Sequence, residues 1–253
     1  MVYDLQKASL WKRVSAWLFD SILLSIMVVA LAWLLSAALG YDKYDQQIND
    51  AYSRYEESYG VVFDISAEEY DALPPEDKAA YDTAYAALTA DEEVVYAYNM
   101  IINLTMVIAS VGILLAVLLW EFAIPLLLKN GQTLGKKIFG LCLVRVDGVK
   151  VTPVQLFVRT LLGKFTLEIM IPVYILLMLF WGIADLTGTL LLGAVLLAQF
   201  LCLTITDRHA ALHDLIAGTA VADFGTQLIF ENAQERTQYI ARLHAEQAAK
   251  EPY

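Results

Sequence analysis

The chain has 253 residues, 58% of them apolar, a mean hydropathy of +0.54 and a formal net charge of −11. Its apolar residues lie in blocks of about 20, longer than a soluble core uses and the length a hydrocarbon slab requires, so the soluble one- or two-domain expectation is set aside. The charge is local: residues 41–98 hold 15 Asp and Glu against Lys43, Arg54 and Lys78, leaving the remainder near +1 with no dense basic patch, which argues against nucleic acid as a partner.

The first apolar block, 17–39, follows Lys7, Lys12 and Arg13. Its length and the acid Asp20 within it distinguish it from a secretory signal, despite the small-residue triplet Ser36-Ala37-Ala38, and it is read as an uncleaved helix. Tyr41, Tyr44, Ile48, Tyr52, Tyr55 and Tyr59 then recur at steps of three or four, one helix face that carries the first span outward until Gly60. Ser66-Ala67-Glu68-Glu69 matches a capping box, Pro74-Pro75 interrupts the piece it opens, and a further helix places Tyr81, Ala84, Tyr85 and Leu88 on one face. That helix is expected to run on through 92–98 into the second span. Packing of the two tyrosine stripes is the plain reading of 41–98; a docking surface for a protein, a cell-wall polymer or a cation is the sharper one. No loop there has calcium-ligand spacing.

The second span covers 99–120 and continues through 122–128; the third covers 167–184, bent by Pro172; the fourth covers 187–205. Asp185-Leu186-Thr187-Gly188 is expected as a tight turn between the last two. Before them, Asp147-Gly148 predicts a β-hairpin from 138–146 and 149–151, and Thr152-Pro153 opens a helix over 153–165 lying at the interface. Segment 129–165 holds seven basic residues against Asp147, so it and both termini are placed in the cytoplasm and 41–98 outside. The tail from 226 to 250 reads as a solvated helix. The fold class is thus an all-α membrane protein, a four-transmembrane-helix bundle with a helical extracytoplasmic hairpin and a short cytoplasmic β-hairpin.

Cys142 and Cys202 lack ligand spacing and read as small apolar packing residues, and neither a nucleophile triad nor a zinc-binding helix motif occurs. Gly131-Gln132-Thr133-Leu134-Gly135-Lys136-Lys137 lacks the spacing of a phosphate loop. No enzyme activity, metal or cofactor is therefore expected. The informative residue is Asp20, two turns and about 10 Å beyond Arg13 on the same helix face, because a carboxylate in hydrocarbon must be paired, solvated or protonated. Three readings follow. In a charge latch, Arg13 pairs with Asp214 or Asp207, and Asp20 with a basic group of the 153–165 helix. In an exchange site, Asp20, with Glu168, alternates between proton and cation. In the third, Arg13, Arg159 and Lys164 hold a lipid headgroup. His213 reads as a structural hydrogen-bonding residue rather than a proton relay.

The Arg13–Asp20 block, the Gly131–Val146 block and Leu212-His213-Asp214-Leu215-Ile216-Ala217-Gly218-Thr219 together resemble the RDD family, prokaryotic membrane proteins named for one arginine and two aspartates. The resemblance maps the arginine onto Arg13, the first aspartate onto Asp20 and the second onto Asp214, with Asp207 competing. It gives Gly131, Thr133, Gly135 and Lys136 as a cytoplasmic motif. It divides the chain into 8–40 and 99–222 as the family domain, 41–98 as an insertion and 223–253 as a cytoplasmic tail. It implies a multi-pass protein of the cell membrane and a proposed role as a small transporter, exchanging monovalent cations for protons. A non-catalytic scaffold or accessory subunit that recognises a partner through 41–98 is the alternative. Expected partners are membrane lipids, further copies of the chain (four helices make a narrow bundle) and an extracytoplasmic protein or cell-wall polymer.

Overall fold

A computed structural model describes residues 4–128, 130–170, 186–206 and 210–249. Among the described residues, two helical stretches are long and apolar enough to cross a membrane, Leu10–Leu39 and Glu92–Leu127, and Gly193–Ile205 is a shorter apolar one. All but the first residues of the expected third span, with Pro172 and Asp207, lie outside the described residues.

The chain divides into two compact units. The first comprises Met1–Met27 and Leu114–Tyr253, the second Val28–Ile113.

Helix α1 (Leu10–Leu39) begins in the first unit and ends in the second, where it does not run straight into the tyrosine stripe as expected. Gly40 adopts a left-handed φ of 70°, which residues with a Cβ avoid, and α2 (Tyr41–Tyr59) restarts beyond it. Gly60 ends α2 in the same conformation. The capping box forms at Ser66 and Glu69 to open α3 (Ala67–Ala72), and Pro75 occupies the first turn of α4 (Pro75–Ala90). Asp91 breaks the expected run-on and opens α5 (Glu92–Val117), its carboxylate capping the Glu93 N–H at 2.9 Å. Ala51, Phe63, Ala84 and Leu88 form the core of this hairpin, with Tyr55 and Tyr81 packed against it. The tyrosine stripes therefore do pack together.

In the first unit, α5 passes into a π-helical turn, Leu118–Ala123, and then α6 (Ile124–Leu127). Pro125 has no N–H for the carbonyl of Glu121, and the hydroxyl of Thr160 donates to that oxygen instead, at 3.0 Å. Next come α7 (Leu134–Ile138), capped by Thr133, strand β1 (Leu141–Arg145) and α8 (Pro153–Phe157), capped by Thr152 and continued by the π-helical Val158–Glu168. Helix α9 (Leu186–Ile205) occupies the residues of the expected fourth span, but Leu186, Thr187 and Gly188 already belong to it, so the expected turn at 185–188 does not form there. Helix α10 (Leu212–Ala217) leads into β2 (Thr219–Asp223), and α11 (Ala233–Ala248) closes the described chain.

The expected hairpin is corrected. Asp147-Gly148 does turn, with Arg145 N–H donating to Val149 O at 2.8 Å, but the return strand makes only a bridge at Lys150. The partner of β1 is β2, antiparallel, from Leu141 opposite Asp223 to Arg145 opposite Thr219. The fold is thus mostly helical with a two-stranded sheet rather than wholly α. Leu141, Leu143, Leu156, Val221 and Ala16 form a core beneath that sheet. The tail is not solvated throughout: Gln227 and Phe230 are buried, whereas its helix α11 has no buried residue.

Candidate functional site

Asp20 lies on α1 with 5% of its surface exposed. Its carboxylate takes three hydrogen bonds: from the Trp120 indole N–H at 3.2 Å, the Gly135 backbone N–H at 2.8 Å and the Thr133 hydroxyl. None of these donors is charged, so the expected pairing of Asp20 with a basic group of the 153–165 helix does not occur. The motif residues 133–135 supply that partner instead, because the turn that starts α7 aims a backbone N–H and a capping hydroxyl at one point. Gly131 sits at φ 61° close against Leu143 and sets the loop that delivers them.

A second centre surrounds Glu121, on the π-helical turn. Its carboxylate contacts Lys164, Arg159 at 3.5 Å and Lys136 at 3.9 Å. Arg159 turns its other edge to Asp214, Nε to Oδ1 at 2.9 Å. Asp214 also accepts from the Thr219 hydroxyl at 3.1 Å and faces Arg13 at 3.6 Å. The expected Arg13–Asp214 pair is therefore present, with Arg159 as the closer cation.

These contacts close on themselves. The Thr133 hydroxyl that donates to Asp20 accepts from the Lys136 ammonium at 3.3 Å, and Lys136 faces Glu121. From Glu121 the path runs through Arg159 and Asp214 back to Arg13, seven residues from Asp20 on α1. Among the described residues, four cations (Arg13, Lys136, Arg159, Lys164) meet four carboxylates (Asp20, Glu121, Glu168, Asp214), and pairing of this kind is the condition under which such groups can leave water.

Burial opposes ionisation of Asp214, but Arg159 above all, and Arg13, outweigh it and hold its carboxyl well below the usual carboxylate range. Burial draws the Lys136 ammonium down to about 8 despite Glu121. His213 is lowered as well, by burial and then by the charge of Arg159, and is neutral at neutral pH. Its Nδ1 meets Glu168, and we assign the proton there. Nε2, 3.6 Å from Asp214 Oδ2, then carries a lone pair and cannot donate, which accounts for an oxygen with no hydrogen bond. The backbone of His213 also requires Gly163, since a Cβ there would come within 2.5 Å of the histidine Cβ.

A cavity of about 600 Å³ opens over these groups. Asp20, Glu121, Arg159 and Asp214 lie along it, and Val14, Trp17, Val195 and Leu196 supply apolar wall. The arrangement can anchor α1 to the loop, the π-helical turn and α10 at once, or hold ions at the cavity. Trp120 had no signal in the sequence. Glu121 was visible only as a charge near a span end, and Lys164 only as a candidate headgroup contact; a proline four residues after a buried acid is the sign that could have marked Glu121.

Comparison with known proteins bears on the expected resemblance to the RDD family. The sequence profile of the RDD family matches residues 7–218. YckC of Bacillus subtilis (strain 168), described as an uncharacterized protein, is 29% identical over 112 residues, 44% of this chain and 60% of that protein. The match thus spans about three-fifths of the relative's length. No solved structure matches. The profile covers most of the chain, including Arg13, Asp20, Glu121 and Asp214, and the chain belongs to the RDD family.

Proposed function

We infer that this chain is a multi-pass cell-membrane protein working as a non-catalytic scaffold or accessory subunit, with four spans, both termini cytoplasmic and residues 41–98 outside. The basic residues of the N-terminal tail and of 129–165, against only Lys43, Arg54 and Lys78 in 41–98, support that orientation. One observation carries the scaffold reading: every hydrogen bond to Asp20 comes from a neutral donor of the fold itself, in a buried pocket shaped to fit. A carboxylate so held serves as a fastener, because releasing it to a cation would strand three donors in a buried pocket. In this reading the polar circuit fixes the inner face while the tyrosine-rich hairpin meets a partner.

A second reading, exchange of a monovalent cation for protons, is favoured by the cavity, which reaches Asp20, Glu121 and Asp214. Purified protein reconstituted in vesicles, with pH and cation flux recorded, separates the two. The scaffold reading expects no flux. Wild-type flux that disappears in Asp20→Asn would replace it with exchange. For the scaffold, capture of partners by the intact chain should be lost on deleting residues 42–97, and equal recovery with and without that segment would sink it.

A further inference from the structure

Tyr52 of α2, Tyr85 of α4 and Tyr98 of α5 are 38%, 48% and 59% exposed. Phe63 holds Tyr52 and Tyr85 edge-on at 5.5 and 6.2 Å between ring centres, and Tyr98 stands near enough to Tyr52 to act on its hydroxyl. The Tyr52 hydroxyl is raised above its ordinary range by partial burial and by the neighbouring Tyr85, Tyr81 and Tyr98. Half-exposed aromatic rings from three separate helices are more than a hairpin core needs, and such a cluster suits an interface.

The charge of the unit narrows the occupant. Residues 41–98 contain only three cations, and each lies over a tyrosine ring: Lys43 over Tyr44 at 5.5 Å, Arg54 over Tyr55 at 5.6 Å and Lys78 over Tyr70 at 5.6 Å. Among the described residues, the ion pair inside 41–98 is Arg54 with Asp91, at 3.3 Å, against 15 carboxylates. The segment therefore uses up its own cations on ring faces and keeps a large negative surplus. The rings of Tyr52, Tyr85 and Tyr98 have no such cation of their own among the described residues. A second copy of the unit would bring the same negative charge and be repelled, and a neutral glycan would gain nothing from the field. A lysine- or arginine-rich segment gains both from the field and from the ring faces.

We propose that the Tyr52–Tyr85–Tyr98 face docks a basic, lysine- or arginine-bearing segment of a partner protein. This rests on the reading of residues 41–98 as the partner-binding part of a scaffold.

The test uses the full chain in nanodiscs of phosphatidylcholine, titrated with a labelled peptide of alternating lysine and serine. Parallel titrations use the glutamate–serine peptide and a chito-oligosaccharide. The lysine peptide should bind, release as salt is raised, and bind about tenfold more weakly to Tyr52→Leu/Tyr85→Leu, the loss expected for two exposed cation–ring contacts. Tyr52→Phe/Tyr85→Phe keeps the rings and should keep the binding. Glu68→Gln/Asp71→Asn removes two charges but no ring and should bind closer to wild type than the leucine variant does. Failure of the lysine peptide to bind, or equal loss in the leucine and charge variants, overturns the proposal. So do loss in the phenylalanine variant and binding of the oligosaccharide in the peptide's place. If deletion of 42–97 abolishes partner capture while the lysine peptide does not bind, the scaffold reading stands and the basic partner falls.

Discussion

The backbone N–H of Gly135 donates to the Asp20 carboxylate at 2.8 Å, and a Cβ on Gly135 would stand 2.4 Å from the carbonyl oxygen of Ala16. The same Cβ would lie 2.8 Å from the Asp20 carboxyl carbon. Glycine is needed here for close approach of two backbones, and the hydrogen bond follows from that approach.

Gly135→Ala should therefore cost about 1–3 kcal/mol, as overpacking against fixed backbone does. Thermal unfolding in detergent reads it as a lower midpoint, and a midpoint equal to wild type would mean that the loop yields freely.

Asp20→Asn keeps the size, but its NH₂ must replace either Oδ1, which accepts both N–H groups, or Oδ2, which accepts the Thr133 hydroxyl. Even the better orientation leaves that hydroxyl without its acceptor, an expected loss of about 1–3 kcal/mol. Thr133→Val removes one of those donors and the cap of α7. A double-mutant cycle between the two should give a coupling of about 0.5–3 kcal/mol. Additive losses would show that Thr133 does not act through Asp20.

Arg159 joins the two acid centres, and Arg159→Met leaves Glu121 and Asp214 buried with a cation missing. The expected loss is about 3–5 kcal/mol. Arg159→Lys retains the charge without the two-sided fork and should fall between wild type and the methionine variant. A methionine variant as stable as wild type would show that the circuit is not what holds these elements.

Two titrations should have opposite origins. The folded Asp214 has a lowered pKa, so its stabilisation is complete above the ordinary carboxylate value and fades as pH falls through the lower folded value. Asp214→Asn should flatten the acid limb of the stability curve. Lys136 is lowered to about 8, so the unfolded chain binds the extra proton above that pH. Its contribution should grow as pH rises from about 8 towards the ordinary lysine value. The difference between wild type and Lys136→Met, measured across that window, checks the sign.

In the acidic unit, Phe63 is the hub on which Tyr52, Tyr81 and Tyr85 pack. Phe63→Ala should cost that unit about 3–5 kcal/mol. Hydrogen exchange should quicken across α2 and α4 while β1 and β2 keep their protection. Uniform quickening throughout would mean that the two units unfold as one.

Features set by neighbours a few residues apart were legible in the sequence. The apolar blocks, the stop at Gly60, the capping box at Ser66, the helix start at Thr152-Pro153 and the turn at Asp147-Gly148 each depend on contacts within about one helical turn, the range that periodicity and capping rules cover. The partners of Asp20 were not legible, since Gly135 stands 115 residues away and nothing in the spacing of either residue encodes the other. The pairing of β1 with β2 escaped for the same reason, and because Thr219-Ala-Val-Ala-Asp is too alanine-rich to read as a strand alone. The sequence by itself determined that a buried acid sits in the first apolar helix, because residue type and block length settle which side chains must leave water. Only the tertiary structure decided that a glycine, a threonine and an indole meet that acid. A buried carboxylate accepts whichever donors the packed chain brings to it.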